Sequence, residues 1–408
     1  MSHSTSGLPR IAVLGAGLTG CSAAARLAQF GLPSVLYDQA SAPMTGASLN
    51  NEGKLHLGYV YAADPTGISW HVMANAAIRF ERDVDALFRV APAAFIRSDP
   101  FVYTVSADSA LPAAAIAAHL GEVDRYLATA GADLPPCQPL PDDRLAASYD
   151  TDRVAAVFTT PELAIHTTAL AGRVRTALDR TSEITVRTAS RVMSAGRGRD
   201  GQFEVETEQA GVVERTSYDL VINALWDDRL RVDETAGFEA PGPNIMRYKA
   251  SILFDNVPAS ILADLPTTTL VSGAFGDLVK RGDGGVYLSW YPVCKLGQTL
   301  STDARELREL AEATPPAALI TDSIDGLARH IPAAKALHAL AGSARVGGGV
   351  IVARGQSDIS DRSSALHARG DIGPTRHGHW ISVDTGKFTT APAFGLAAAD
   401  LAREALCE

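Results

Sequence analysis

The chain has 408 residues, a net charge of -10, 46% hydrophobic residues and 20% charged residues. This length is enough to bury a sizeable core and suits two domains, and the acidic balance argues against a nucleic-acid surface. Cys21, Cys137, Cys294 and Cys407 are scattered, with neither metal-ligand nor disulfide spacing, and no run reaches the roughly 18 apolar residues of a spanning helix. The expectation is a soluble protein without a metal, in a reduced, cytoplasmic setting.

The first ten residues, MSHSTSGLPR, are polar and read as a disordered start. An apolar run over 11–14 then enters Gly15-Ala16-Gly17-Leu18-Thr19-Gly20. Ala23, Ala24, Leu27 and Ala28 follow at helical spacing, Gly31 ends that stretch, and a second apolar run over 35–37 stops at Asp38-Gln39. The order is strand, glycine turn, helix, strand, acid. Gly15 permits the tight turn, Gly17 lets a pyrophosphate approach the backbone, and Gly20 lets the helix sit close to the strand. The helix start at Leu18 and Thr19 offers free N–H groups and a positive dipole end to phosphates. Asp38 is placed to accept from ribose hydroxyls. Together these define a dinucleotide site.

Residues 40–53 form a Gly/Ser/Asn-rich loop. One long helix is expected over 69–88, with Val72, Ala76, Phe80, Val84 and Leu87 as its apolar stripe. A strand over 101–106, a helix over 113–130 and a proline loop near 135–141 follow. A helix over 167–178 leads to short strands at 184–186, 190–195 and 202–209, with a hairpin turn at GRGRDG, 196–201. Residues 218–222 read as a buried strand. Strands at 248–254, 268–272 and 286–291 come next, then a helix over 303–313 and broken helix over 315–345. The triple glycine at 347–349 opens a strand over 350–353. A strand over 379–383, a turn at 384–386 and a helix over 391–406 close the chain. The fold class is therefore α/β plus α+β. A Rossmann-like nucleotide domain (8–85, 155–245 and 346–408) is interleaved with a substrate domain on a mostly antiparallel sheet (86–154 and 246–345).

Four stretches resemble the D-amino-acid oxidase type of FAD-dependent oxidoreductase, a family that includes glycine, sarcosine and L-2-hydroxyglutarate oxidising enzymes. The first is the glycine fingerprint with Asp38. The second, TGASLNNEGKLHLGYVY over 45–61, resembles the segment that wraps the pyrophosphate and ribityl chain and then faces the flavin. The third, YDLVINALW over 218–226, resembles Val-Val-Asn-Ala-Ala-Gly-x-Trp, with the Ala-Gly missing before Trp226. The fourth, TGKFTTAPAFGLAAADLA over 385–402, resembles the C-terminal glycine turn whose helix points at the flavin pyrimidine.

The resemblance implies noncovalent FAD. It places Gly15, Gly17, Leu18, Thr19, Gly20, Asp38, Gln39, Ser48, Leu49, Asn50, Asn51, Val192, Asn223, Ala224, Gly386, Lys387, Phe388 and Thr389 on the cofactor side. It implies substrate-side roles for His56, Lys387 and Arg354, and the strand face that carries Tyr291 is placed to roof the substrate. Lys387 resembles a lysine that binds the substrate carboxylate in sarcosine oxidase. Arg354 resembles a carboxylate-binding arginine, although the prolines that normally flank it are absent, and the arginine fork suits that task. Arg247-Tyr248-Lys249 resembles an Arg-Gly-Glu stretch and reads as charge on a sheet surface. Tyr287, Ser289 and Tyr291 share one strand face.

The function implied is removal of a hydride from a C–N bond of a small, carboxylate-bearing amine or amino acid, with O2 or another acceptor reoxidising the flavin. Oxidation of a 2-hydroxy acid, a flavin monooxygenase and a non-catalytic flavin-binding protein are the alternatives. The sequence does not fix the oligomeric state.

Overall fold

The computed structural model describes residues 7–198, 201–240, 242–273, 275–359, 361 and 364–408. The polar start over 1–6 and the tip of the expected GRGRDG turn, 199–200, lie outside the described residues.

The apolar runs on either side of the glycine turn lie side by side in a six-stranded sheet. Its order is Gly373–His377, Trp380–Asp384, Leu220–Asn223, Ile11–Leu14, Ser34–Tyr37 and Ile184–Arg187. The last five run parallel and Gly373–His377 is antiparallel at the edge. Parallel strands are buried on both faces, which is why Ile11–Leu14 and Leu220–Asn223 are buried throughout.

Helix Leu18–Gln29 covers this sheet and crosses helix Ala391–Cys407 at close range. Small residues allow the approach. A Cβ on Gly395 would lie 2.5 Å from both Ser22 Cβ and Thr19 O. The crossing brings two distant turns together, and the Thr19 and Thr385 hydroxyls bond at 2.8 Å. The N-terminal fingerprint and the C-terminal glycine turn are therefore one structural unit.

A nine-stranded sheet stands beside the first. Its main path runs Lys295–Thr299, Asn244–Phe254, Val286–Trp290, Gly276–Lys280, Thr268–Val271, Val102–Ser106, Val154–Thr159 and Gln138–Pro139. Arg345–Arg354 pairs antiparallel with Asn244–Phe254 along ten residues. Every neighbouring pair is antiparallel except Thr268–Val271 with Val102–Ser106. The expected boundaries at 155 and 346 fall within the strands Val154–Thr159 and Arg345–Arg354, both of which pair in this second sheet. Arg191–Arg197, Phe203–Gln209 and Val212–Tyr218 form a three-stranded meander.

Several local expectations are corrected. The helix expected over 69–88 is two helices, Ile68–Ala77 and Phe80–Phe88, separated at Ile78-Arg79. The triple glycine does not precede a strand but lies inside Arg345–Arg354, its backbone bonded to 249–251. Tyr291 leaves the strand and begins a short helical turn, Tyr291–Cys294.

Candidate active site

A cavity of about 500 Å³ lies between the two large sheets. Gly15, Gly17, Leu18 and Thr19 form one wall. Gly15 has φ +93°, and a Cβ there would lie 2.6 Å from Ala224 O. A Cβ on Gly20 would lie 1.8 Å from Gly15 O. The turn thus closes only with glycine at these positions, and Gly20 supports the turn from behind rather than lining the cavity. The N-cap of the helix that starts at Leu18 is Gly17, which has no side chain, and Gly17, Leu18 and Thr19 all face the cavity.

Asp38 ends the second strand. Its carboxylate accepts from Ala16 N and Ala40 N, both at 2.8 Å, so it holds the glycine turn as well as facing the cavity. Burial pushes its pKa up, against the pull of those two amides. Ser48 Oγ accepts from Leu18 N at 2.9 Å and ties the loop to the helix start.

The expected cofactor-side residues divide into two groups. Gln39, Ser48, Asn50, Asn51, Val192, Ala224, Gly386, Lys387 and Phe388 line the cavity with the fingerprint. Leu49, Asn223 and Thr389 do not. Leu49 packs on the core beneath the loop. Asn223 donates to Arg229 O and Asp233 Oδ1, at 3.0 and 2.8 Å. Thr389 Oγ1 accepts from His56 N and donates to Lys54 O, at 2.9 and 3.1 Å. Its task is to clamp the 54–56 segment onto the C-terminal turn. The loop shortened before Trp226 is closed by the indole, which donates to Val350 O at 2.7 Å.

The substrate-side expectations need correction. His56 and Lys387 line the cavity; Arg354 and Tyr291 are absent from its walls. Arg354 ends the strand Arg345–Arg354 and pairs with Asp371. Tyr291 OH donates to Asp358 Oδ1 at 2.7 Å and accepts from Arg247. Arg247 is not surface charge: its side chain is 3% exposed and pairs with Asp358. Lys249 lines the cavity and pairs with Asp277 at 3.3 Å.

Arg369, unlike Arg354, reaches the cavity. It is buried, lines the cavity, and its Nη1 donates to Val352 O at 3.3 Å. No other side-chain bond of this guanidinium is found among the described residues. Burial and the nearby Arg247 weaken its hold on its proton. Lys387 sits beside it, and burial followed by the Arg369 charge lowers the lysine pKa to about 8.

His56 is buried, and burial, Lys387, Lys54, Lys249 and Arg369 all hold its pKa well below the ordinary value. The imidazole is neutral at pH 7. Its Nδ1 has no partner among the described residues, and its Nε2 is 3.8 Å from Glu52 Oε1. Lys54 lies deeper, 3.0 Å from Glu162 Oε2 and 2.8 Å from Thr269 Oγ1.

Sequence reasoning missed Arg369, Lys249, Lys54, Glu52 and Glu162 as site residues. Arg369 sits in irregular chain without a motif. Arg247 and Lys249 alternate on one strand face, a pattern that suits a solvated face and a cavity wall equally. Lys54 and Glu52 stood inside the quoted 45–61 loop, masked by its amides.

A helix start facing the cavity, a carboxylate after the second strand, and a cavity continuing to a second glycine turn define a dinucleotide-binding site. The fit to FAD rests on the glycine turn, where Gly15 and Gly17 line the cavity without side chains, and on the unpartnered Nδ1 of His56, another lining residue. The chain belongs to the DAO family of FAD dependent oxidoreductases, whose model matches residues 10–401. Glycine oxidase from Geobacillus kaustophilus has a similar structure: TM-score 0.67, 13% identity, covering 97% of this chain and 95% of that one. L-amino acid deaminase from Proteus vulgaris has TM-score 0.64 and 15% identity, covering 99% and 95%. In sequence, the tRNA 5-methylaminomethyl-2-thiouridine biosynthesis bifunctional protein MnmC of Marinobacter nauticus is 46% identical over 57 residues. That match covers 14% of this chain and 9% of that protein. The protein is an FAD-dependent oxidoreductase, and no helix among its described residues is long and apolar enough to cross a membrane.

Proposed function

We propose that the chain oxidises a C–N bond of a small amine or amino acid that carries a carboxylate. The observation that carries this reading is Arg369, a buried guanidinium with one side-chain hydrogen bond, beside a lysine whose proton is already weakly held. Two neighbouring buried cations repel each other, and a bound carboxylate relieves that cost. Arg369 supplies the planar fork and Lys387 a point charge. The names of glycine oxidase and L-amino acid deaminase support an amino-acid substrate.

FAD, when bound, supplies the hydride acceptor. The amides of Gly17 and Thr19 would hold its pyrophosphate, those of Gly15, Ala16 and Leu18 being bonded within the turn. Asp38 and Gln39 would face the adenosine ribose, and Ser48, Asn50, Asn51, Val192 and Ala224 would wall the chain between. The turn at Gly386 and Phe388 would meet the ring edge, where amides at a helix start favour negative charge. No cysteine lies among the cavity residues, which supports noncovalent binding. The four free cysteines support a reduced, cytoplasmic setting, and O2 or another acceptor completes the cycle.

Oxidation of a 2-hydroxy acid is the second reading. It is favoured by the neutral His56 with its open Nδ1, because a hydroxyl needs a base to take its proton. Anaerobic flavin bleaching across amino acids, N-methyl amines and 2-hydroxy acids tests the choice. An amino or N-methyl amino acid is expected to bleach the flavin at least tenfold faster than its hydroxy counterpart. Bleaching only by hydroxy acids reverses the assignment, and bleaching only by NADPH points to a monooxygenase.

A further inference from the structure

Glu52 stands between two cavities. It lines the large one and also a smaller cavity of about 70 Å³, and Asn50, Asn51 and Tyr287 line both as well. Its charge acts on Lys387, Lys249, Tyr287 and Tyr61, and His56 is its neighbour on the same loop. Across the smaller cavity lie His166, Arg281 and Arg345. Those three already have carboxylates: His166 has Asp283 at 2.8 Å, and both arginines have Asp255 at 2.6 Å.

The end of the large cavity around His56 is rich in cations. Lys54 is paired with Glu162 and Lys249 with Asp277. Arg369 and Lys387 are the pair that takes a substrate carboxylate in the reading above. With Lys54 and Lys249 neutralised, two cations facing one substrate carboxylate leave positive charge in excess at this end of the cavity. An ammonium that has released one proton to solvent is a neutral amine, and when its α-carbon then gives hydride to the FAD it becomes a cation again. The C–H bond breaks with its electron pair, the nitrogen lone pair becomes the second bond of C=N, and the nitrogen carries the charge. Unopposed, the surrounding cations would raise the energy of that state. A hydroxyl that loses both hydride and proton ends as a neutral carbonyl and makes no such demand.

We propose that Glu52 is the counter-ion of the substrate nitrogen and selects an amine over a hydroxyl at the reacting carbon. The proposal rests on the carboxylate-anchoring reading, and it adds a second, oppositely charged contact. The carboxylate of Glu52 stabilises both the bound ammonium and the cation that develops on oxidation.

The test uses the FAD-loaded protein with 2-aminoisobutyrate and 2-hydroxyisobutyrate. Neither has an α-hydrogen, so binding is read from the flavin spectrum without turnover. Wild type is expected to bind the amino compound more tightly. Glu52→Gln is expected to weaken the amino compound about tenfold and leave the hydroxy compound within about twofold. Glu52→Asp, which keeps the charge, recovers part of the preference. Equal weakening of both compounds, or of neither, overturns the proposal. Should Glu52→Gln fail to hold FAD, wild type decides: no preference for the amino compound overturns it. If wild type binds neither compound, the carboxylate anchor itself fails, and this proposal falls with it.

Discussion

Lys54 Nζ lies 3.0 Å from Glu162 Oε2, and neither side chain has any exposed surface. The rest of the pair is satisfied as well. Glu162 Oε2 accepts from Tyr103 OH at 2.5 Å and Oε1 from Leu57 N at 2.7 Å. The ammonium of Lys54 also sits over the rings of Phe101 and Tyr103, at 4.1 and 4.3 Å. The ion pair therefore joins the 54–57 segment, which carries His56, to the second sheet.

Glu162→Gln leaves the Lys54 ammonium buried without its counter-charge. Breaking such a pair costs about 3–5 kcal/mol. Urea unfolding of the variant is expected to show a loss of that order. Glu162→Gln combined with Lys54→Met should lose less than the sum of the two single changes, because the stranded charge is gone. Additive losses would mean that the two residues do not act as a pair.

Asp38→Ala removes an acceptor from the nucleotide end of the cavity and frees two amides of the glycine turn. Losing a charge-assisted contact costs about 1.5–3 kcal/mol. FAD affinity, measured by calorimetric titration of apo-protein, is expected to fall about tenfold or more. Turnover of fully loaded enzyme is expected to change less. An unchanged dissociation constant would mean that the carboxylate contributes nothing to the nucleotide.

Lys387 gives the site a pH dependence. Its pKa, lowered from 10.5 to about 8 by burial and Arg369, makes it cationic below that pH and neutral above it. Carboxylate binding therefore benefits from Lys387 at low pH and loses that benefit as pH rises through about 8. A bound carboxylate stabilises the cation, so the limb shifts upward in the complex. The stability sign is the reverse. Between about 8 and 10.5 the unfolded lysine holds its proton more tightly than the folded one, so this group's contribution to folding improves with rising pH. Substrate KM across pH 6–10 is expected to rise on the alkaline side in wild type and to lose that limb in Lys387→Met. A limb that persists unchanged in the variant assigns it to another group.

Much of the cofactor side is legible in the sequence because its physics is local. A glycine turn between an apolar run and a helix, followed by an acid, needs only nearby residues, and Gly15, Gly17 and Asp38 stand where that pattern puts them. The substrate side is built from distance. Lys249 and Arg369 reach one cavity from separate segments, brought together by the pairing of Arg345–Arg354 on Asn244–Phe254 and the Arg369 bond to Val352 O. Arg354 shows the difference. Its place after a strand resembles the family pattern, yet its side chain turns to Asp371 instead of the cavity. Asn223 and Thr389 stand in the right motifs but spend their polar atoms on the scaffold. The split of the 69–88 helix was hidden because its apolar stripe continues through the break at Ile78.

In the function proposed, Arg369 with Lys387 holds a substrate carboxylate in the cavity. Anaerobic stopped-flow reduction of the flavin by the best amino-acid substrate and by its amide tests this most directly. The comparison is between wild type, Arg369→Met and Arg354→Met. Loss of a bidentate charged contact is worth about 1.5–3 kcal/mol, or about ten- to a hundredfold. Arg369→Met is expected to raise the half-saturating concentration of the acid by that factor and to slow reduction through lost alignment. The amide should be a poor reductant of wild type and lose little more in Arg369→Met. Arg354→Met should leave both within about threefold, as expected for a partly exposed ion pair. Equal penalties on acid and amide in Arg369→Met, or a larger penalty from Arg354→Met, would contradict the account.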